Sequence, residues 1–372
     1  MQTVDDSASV SVEPGASFRD VDYRHSRNFP QLLSELHASL LISTYQAGKL
    51  AVIGARDGKL AITFHDFDRP MGVAMTPGQI AVGARNQIWF LKNEPDIAPR
   101  LEPAGQFDAC YLARRSHVTG EIQCHEMAFG GDELWVVNTL FSCLCTLNSD
   151  HSFVPRWQPP FITSLAAEDR CHLNGLAMSE GQPRFVTVLA ETDTPAGWRT
   201  NKAESGCLIE IASGGTVARG FAMPHSPRVH AGRVWLLDSG RGRLVRVNTT
   251  DGSVENVGEV PGYARGLAIH GNLAFIGLSK IRETSTFGGL PIASERDELR
   301  CGVAVVELST GRTVATFEFT SGVEEIFDVT VLSGTRAVAM RGPHAAGEVQ
   351  PPIWLVPQPD PALAAPSGHA RP

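Results

Sequence analysis

The chain has 372 residues, 42% of them hydrophobic, which is enough to bury one large core or several small ones. Its net charge of -8, with no stripe of lysine and arginine, excludes ordinary electrostatic binding of nucleic acid. No apolar run approaches the ~20 residues that carry a helix across a bilayer, so no membrane role is expected.

In chain order, residues 1–28 are acidic, polar and aperiodic, and read as a disordered arm. They lack the basic and then apolar regions of a secretory signal. Phe29 to Leu36 reads as a short helix, with Pro30 in its first turn, that plugs one end of the core. Strands follow on either side of Gln46-Ala47-Gly48 and after Asp57-Gly58. From there one unit recurs, and it is clearest at His225 to Gly258. A strand runs to the Ala231-Gly232 turn, RVWLLD returns, SGRGR turns again, and LVRVNTTDGSVENVG supplies a third strand and the start of a fourth. Four short antiparallel strands joined by glycine-rich turns make one propeller blade.

Six segments align as innermost strands: Met71 to Met75, Glu126 to Phe129, Asn174 to Met178, Pro227 to His230, Arg265 to Ile269 and Asp328 to Val331. Each precedes a turn and a second strand (QIAVGA, ELWVVN, RFVTVLA, RVWLLD, LAFIGLS, RAVAMR), and the spacing of about 50 residues suits propeller blades. The expected fold is therefore all-β, a six-bladed β-propeller of four-stranded antiparallel blades over residues 29–357, with 358–372 a disordered tail. The last repeat is short of outer strands, so strands near Leu40 to Ile53 are expected to complete it and remove a sheet edge. Gly72, Gly175 and Gly266 fit the crowding of innermost strands around an axis. Of the longer insertions (91–123, 148–171, 191–206, 280–299), residues 191–202 and 279–292 are expected to form a lid over one mouth. The seven cysteines are odd in number and lack CxxC spacing, which predicts free buried thiols in a reducing cytoplasm. Trp89, Trp135 and Trp235 are expected on second strands as packing between blades. Trp157 and Trp198, in insertions, either wall a pocket or pack a loop.

The residues at the starts of the innermost strands are unusually polar. They include Arg69, His125, Glu126, His172, Asn174, His225, Ser226, Arg228, Arg265 and Asp328. Three histidines from consecutive blades, at nearly equivalent positions, would meet near the axis and suit Zn, Fe, Mn or Cu, with Glu126 or Asp328 completing the shell or serving as base. The alternative is structural: histidines with satisfied hydrogen bonds, and Glu126 and Asp328 paired with Arg228 and Arg265 across the channel. The three arginines could instead hold a substrate carboxylate or phosphate. His125-Glu126 is not a zincin HExxH, since the second histidine is absent, and GxSxG does not occur. Ser226 has no convincing triad around it.

At these residues the chain resembles an uncharacterised bacterial family of propeller proteins. The family is marked by CHLNGLA (here Cys171 to Ala177), MPHSPR (Met223 to Arg228) with LWxLDSG (Val234 to Gly240), and ARGLA (Ala264 to Ala268) with GLSKxRE and FGGLPI (Gly277 to Glu283, Phe287 to Ile292). That resemblance implies fold and not activity. The chain is more distantly similar to the gluconolactonase and senescence-marker six-bladed propellers, which hold a divalent cation on the axis through Glu, Asn and Asp. The resemblance implies comparable places for Glu126, Asn174 and Asp328, and that pattern has no counterpart of the three histidines.

The reading that follows is a cytoplasmic, metal-dependent enzyme acting on a small molecule or peptide side chain, anionic or neutral, by hydrolysis or elimination. The metal ligands are His125, His172 and His225, the catalytic carboxyls Glu126 and Asp328, and the substrate-binding residues Arg69, Asn174, Ser226, Arg228 and Arg265. Iron or copper oxygenation is an alternative chemistry, and a noncatalytic propeller that binds a ligand or protein is the rival class. The oligomeric state is left open.

Overall fold

The tight turns read from the sequence close hairpins for a local reason. Ala231 and Gly232 have φ of 49° and 71°, the left-handed pair of a type I′ turn, whose twist matches the strands Pro224–His230 and Arg233–Asp238 that it joins. The computed structural model of the protein describes residues 21–281, 288–296, 298–341, 353 and 355–356. Twenty-six strands among them form six sheets.

Blade 1 runs outward from Asp328–Ser333 through Ala38–Ser43 and Lys49–Arg56 to Lys59–Asp66, so the chain's two ends share one sheet, as expected. Blade 2 starts at Val73–Thr76, blade 3 at Cys124–Gly130, blade 4 at Leu173–Ser179, blade 5 at Pro224–His230 and blade 6 at Tyr263–His270. Each of these innermost strands touches that of the next blade, and the ring closes between blades 1 and 2. One hydrophobic cluster fills each of the six interfaces, from Ile53 against Phe275 between blades 1 and 6 to Phe185 against Leu236 between blades 4 and 5.

Several expectations are corrected. RAVAMR is not the second strand of its own blade. That place belongs to Ala38–Ser43, buried at every position, and Val338–Arg341 instead runs parallel to Ala109–Leu112 as a fifth, outer strand of blade 2. The N-terminal arm is ordered from residue 21, and Tyr23–His25 pairs with Phe317–Phe319 as a fifth strand of blade 6. The two additions cover edges that would otherwise be open. Helix Phe29–Glu35 forms with Pro30 in its first turn, and it inserts Phe29 and Leu33 into the part of the core that lies between blades 1 and 6. Trp89 lies on the third strand of blade 2, Gln87–Asn93, while Trp135 and Trp235 lie on second strands. All seven cysteines are free and buried. Residues 1–20, 282–287 and 358–372 lie outside the described residues, with them part of the expected lid and the expected tail. Among the described residues no helix is long and apolar enough to cross a membrane.

Crowding at the axis explains the glycines. A Cβ on Gly72 would stand 2.9 Å from Glu126 Cα, and one on Gly266 would stand 2.5 Å from the backbone nitrogen of Val329. Gly266 also has φ of +80°, which a side chain rarely adopts. Gly266→Ala therefore combines overlap with backbone strain, and chemical denaturation should show a loss of about 1–3 kcal/mol. A change within a few tenths would mean that the inner strands have slack.

Candidate functional site

Strand register places the polar residues in layers. Ala74 faces Ala81, Ala128 faces Trp135, Ala177 faces Phe185, Arg228 faces Trp235, Ala268 faces Phe275 and Val331 faces Leu40. Three residues before each lie Met71, His125, Asn174, His225, Arg265 and Asp328, one ring of six. Two residues further back, Arg69, Gln123, His172 and Met223 all have φ between 50° and 54°. His172 thus belongs to a different layer from His125 and His225, against the near-equivalence read from the sequence. In blades 3 to 6 the ladder is irregular at this level, and such bulges redirect side chains.

The three imidazoles nevertheless meet at one end of the axis. The His125 ring centroid is 4.7 Å from that of His172, edge-on, and 6.5 Å from that of His225, nearly parallel. Each Nδ1 is held from behind. His225 Nδ1 donates to the Met223 carbonyl at 2.9 Å, with Ser239 Oγ at 3.1 Å. Its counterpart two blades away, His125, has Nδ1 3.2 Å from the Gln123 carbonyl and 2.8 Å from Thr139 Oγ1. The Thr139 hydroxyl spends its proton on the Leu173 carbonyl at 2.5 Å, so toward His125 it accepts. His172 Nδ1 donates to the Asp169 carboxylate at 2.9 Å, and Trp198 Nε1 donates to the same carboxylate at 3.0 Å. Carbonyls and carboxylates only accept, so all three rings carry a proton on Nδ1, and in a neutral ring Nε2 is then a lone pair. Burial, then the nearby His172 and the Arg265 charge, holds His125 well below the usual imidazole value; burial and Arg265 do the same for His225. Both rings are neutral near pH 7.

Aromatic side chains close around them. The Trp198 ring centroid lies 4.4 Å from that of His172, Tyr263 lies 5.9 Å from His225, and Phe327 lies 5.1 Å from His125. The Arg265 guanidinium stacks 3.4 Å over Phe327 and pairs with Glu325 at 3.4 Å. Trp198 packs with Leu290, Ile292, Met223 and Tyr263, so the described parts of the two expected lid segments do come together over the histidines. The Asp169 and His172 side chains are each 12% exposed, His125 and Glu325 are also partly exposed, and His225 is buried.

The carboxyls belong elsewhere. Glu126 forms an ion pair with Arg228 and accepts the Leu176 N–H at 2.9 Å. Asp328 accepts the N–H groups of Val73 and Val329, each at 2.8 Å. Burial pushes Glu126 up to about 7 against the pull of Arg228, with Asp328 adding to the rise, and pushes Asp328 up to about 6. The expected Glu126 and Arg228 pairing is present, while Arg265 takes Glu325 as its close partner. Asn174 is used between Thr187 Oγ1 and the Pro224 carbonyl, and Ser226 Oγ accepts from Gly266 N at 3.2 Å. Arg69 stands at the surface, paired with Glu121 at 3.5 Å. Among the described residues no group of three or more His, Cys, Asp or Glu side chains stands as it would around a metal ion. The rings as placed therefore do not form a ligand shell, although their tautomers suit one. Asp169, Thr139, Ser239, Tyr263 and Phe327 were missed as site residues; the one sequence signal was the hydroxyl after each second strand, in WVVNT and WLLDS.

Comparison with known proteins supports the fold. The family described as a domain of unknown function, DUF4915, matches residues 27–340. A chain from the crystal structure of a nidogen/laminin complex superposes with a TM-score of 0.51 at 11% identity, covering 80% of this chain and 99% of that one. A protein of unknown function from Bacteroides caccae, solved at 1.35 Å, gives 0.49 at 12% identity, covering 79% and 98%. No curated protein matches the chain. At 11% identity the likeness to the nidogen/laminin chain shows the fold alone.

The neutral histidines give a pH signature. Their folded values lie below the unfolded value of 6.5, so below that pH the unfolded chain binds more protons and stability is lost as the pH is lowered. Glu126 and Asp328, with raised folded values, act oppositely: their contribution is present at low pH and is lost as pH rises toward about 7. In urea titrations from about pH 6 to 4.5, His125→Gln should flatten the acid-side decline by about 1.4 kcal/mol per pH unit relative to wild type. Parallel pH profiles would contradict a neutral buried His125.

Proposed function

Because the chain belongs to the DUF4915 family, a domain of unknown function, its activity has to be read from the site, and we propose that it is an enzyme using acid–base chemistry on a small molecule at the histidine end of the channel. The observation that carries this reading is the set of three imidazoles pinned through Nδ1, with no hydrogen-bond partner on Nε2 among the described residues. His172 is the general base. Its side chain is 12% exposed, whereas His225 is buried, and the Asp169 carboxylate behind it stabilises the imidazolium formed when Nε2 takes a proton. Trp198 holds Asp169 in place as a positioning residue. His125 and His225 accept hydrogen bonds from hydroxyl or amine donors of the substrate, and Arg265 receives its anionic group. The aromatic walls exclude water, which strengthens each of these contacts. Hydrolysis or elimination fits a base, two neutral acceptors and a cation. In this reading Glu126 and Asp328 serve the architecture, and the role of base passes to His172.

A second reading rests on the same tautomers. Three Nε2 atoms free of protons would be the donor set of a zinc, iron, manganese or copper site, and the rings would have to draw together to form it. Elemental analysis of protein supplied with each metal, before and after His125→Ala, His172→Ala and His225→Ala, tests it: one equivalent lost in every variant supports the metal, and none bound to wild type removes it.

For the leading reading, small hydroxy and amino acids are screened by thermal shift, and turnover of any stabilising compound is followed. Arg265→Gln should abolish the shift. His172→Asn should keep binding and slow turnover by about 10²–10⁴-fold. Unchanged turnover in His172→Asn defeats the assignment of the base, and a bound compound never transformed by wild type makes the protein a noncatalytic binding propeller.

A further inference from the structure

At the end of the axis away from the histidines, the innermost strands diverge around a cavity of about 370 Å³. Its wall is mixed: Met75, Phe129, Met178 and Ile269 supply apolar surface, and Glu126, Arg228, His270, Thr330 and Ser333 also line it. None of the clustered histidines His125, His172 and His225 lines it. The arginine is oriented by its surroundings. Nη1 makes the ion pair with Glu126 and donates to the Pro227 carbonyl at 2.8 Å, with the Leu176 carbonyl at 3.5 Å. Nε and Nη2 have no hydrogen-bond partner among the described residues. Together they form the straight edge of a guanidinium that receives a carboxylate through two parallel bonds. The Arg228 side chain is 26% exposed and that of Glu126 is 6%, so the arginine, and not the acid behind it, is what an incoming molecule meets.

We propose that this mouth is a second ligand site, which takes an apolar monocarboxylic acid with its carboxylate on the free edge of Arg228 and its hydrocarbon body against Met75, Phe129, Met178 and Ile269. Methionine walls adapt to bodies of differing shape, so the site selects for an acid head and an apolar tail more than for one outline. Glu126 competes for the same charge. A bound carboxylate therefore gains most when Glu126 is neutral, which ties occupancy of this mouth to a residue next to His125 in the chain.

Isothermal titration of the full chain with hexanoate tests this, with hexanamide as the uncharged control. Hexanoate should bind wild type, and hexanamide should bind at least about tenfold more weakly. Met178→Trp fills the cavity and leaves the ion pair in place, and Arg228→Gln removes the donor edge; each should weaken hexanoate about tenfold or more. Glu126→Gln should tighten it, an effect that a merely apolar cavity would not show. His172→Asn should leave it unchanged, which separates this site from the histidine end. No binding by wild type up to about 10 mM hexanoate, equal affinity in Met178→Trp, or hexanamide binding as well as hexanoate overturns the proposal.

Discussion

Six innermost strands leave one edge each facing the axis, and the N–H and C=O groups on those edges have no further strand to pair with. The molecule answers with side chains handed from one blade to the backbone of the next. Asp328 takes the amide of Val73, Glu126 that of Leu176, and Ser226 that of Gly266. Ser43, Thr139, Asn174 and Ser279 donate to the carbonyls of Met71, Leu173, Pro224 and Ile326. Five of the six blade junctions carry such a bond, and between blades 2 and 3 the Gly72 N–H donates directly to the Cys124 carbonyl at 3.2 Å; this satisfaction of inner edges is the constraint on which both site and fold rest. An unpaired buried amide or carbonyl would cost about 1–3 kcal/mol at each junction.

That constraint sorts the polar residues at the strand starts. Those whose polar atoms are spent within the framework, Asp328 on two backbone amides and Asn174 between the Thr187 hydroxyl and the Pro224 carbonyl, hold the ring together. The histidines spend one nitrogen and keep another. This division follows from chemistry: a hydroxyl or carboxylate can turn all its capacity to the neighbouring strand, whereas the two nitrogens of an imidazole point in divergent directions, so anchoring one aims the other away from the anchor. The burial that makes the anchors effective also keeps His125 and His225 uncharged and lifts Glu126 and Asp328, so the axis is less charged than its composition suggests.

The two ends of the axis differ for the same reason. At the histidine end, the segment bearing Trp198 and the residues around Leu290 and Ile292 fold over the ring, and Asp169 is recruited from the loop before blade 4. At the other end the connections are short hairpins such as Ala231-Gly232, which roof nothing, and the cavity floored by Arg228 stays open. Long loops on one face and tight turns on the other give a single barrel two mouths of unlike chemistry.

Read alone, the amino-acid sequence determined the blade count, the hairpin turns, the glycines at the crowded axis, and the closure of the ring by N-terminal strands. All of these depend on local periodicity and turn chemistry. It also marked His125, His172 and His225 as partners. Only the tertiary structure decided that Val338–Arg341 leaves its own blade for the edge of blade 2, that His172 sits in another layer and is backed by Asp169, and that Glu126 with Arg228 faces the opposite mouth. These outcomes depend on register and on which strand claims a vacant edge. A bulge of one residue changes the direction of a side chain without altering the composition or spacing from which the sequence is read.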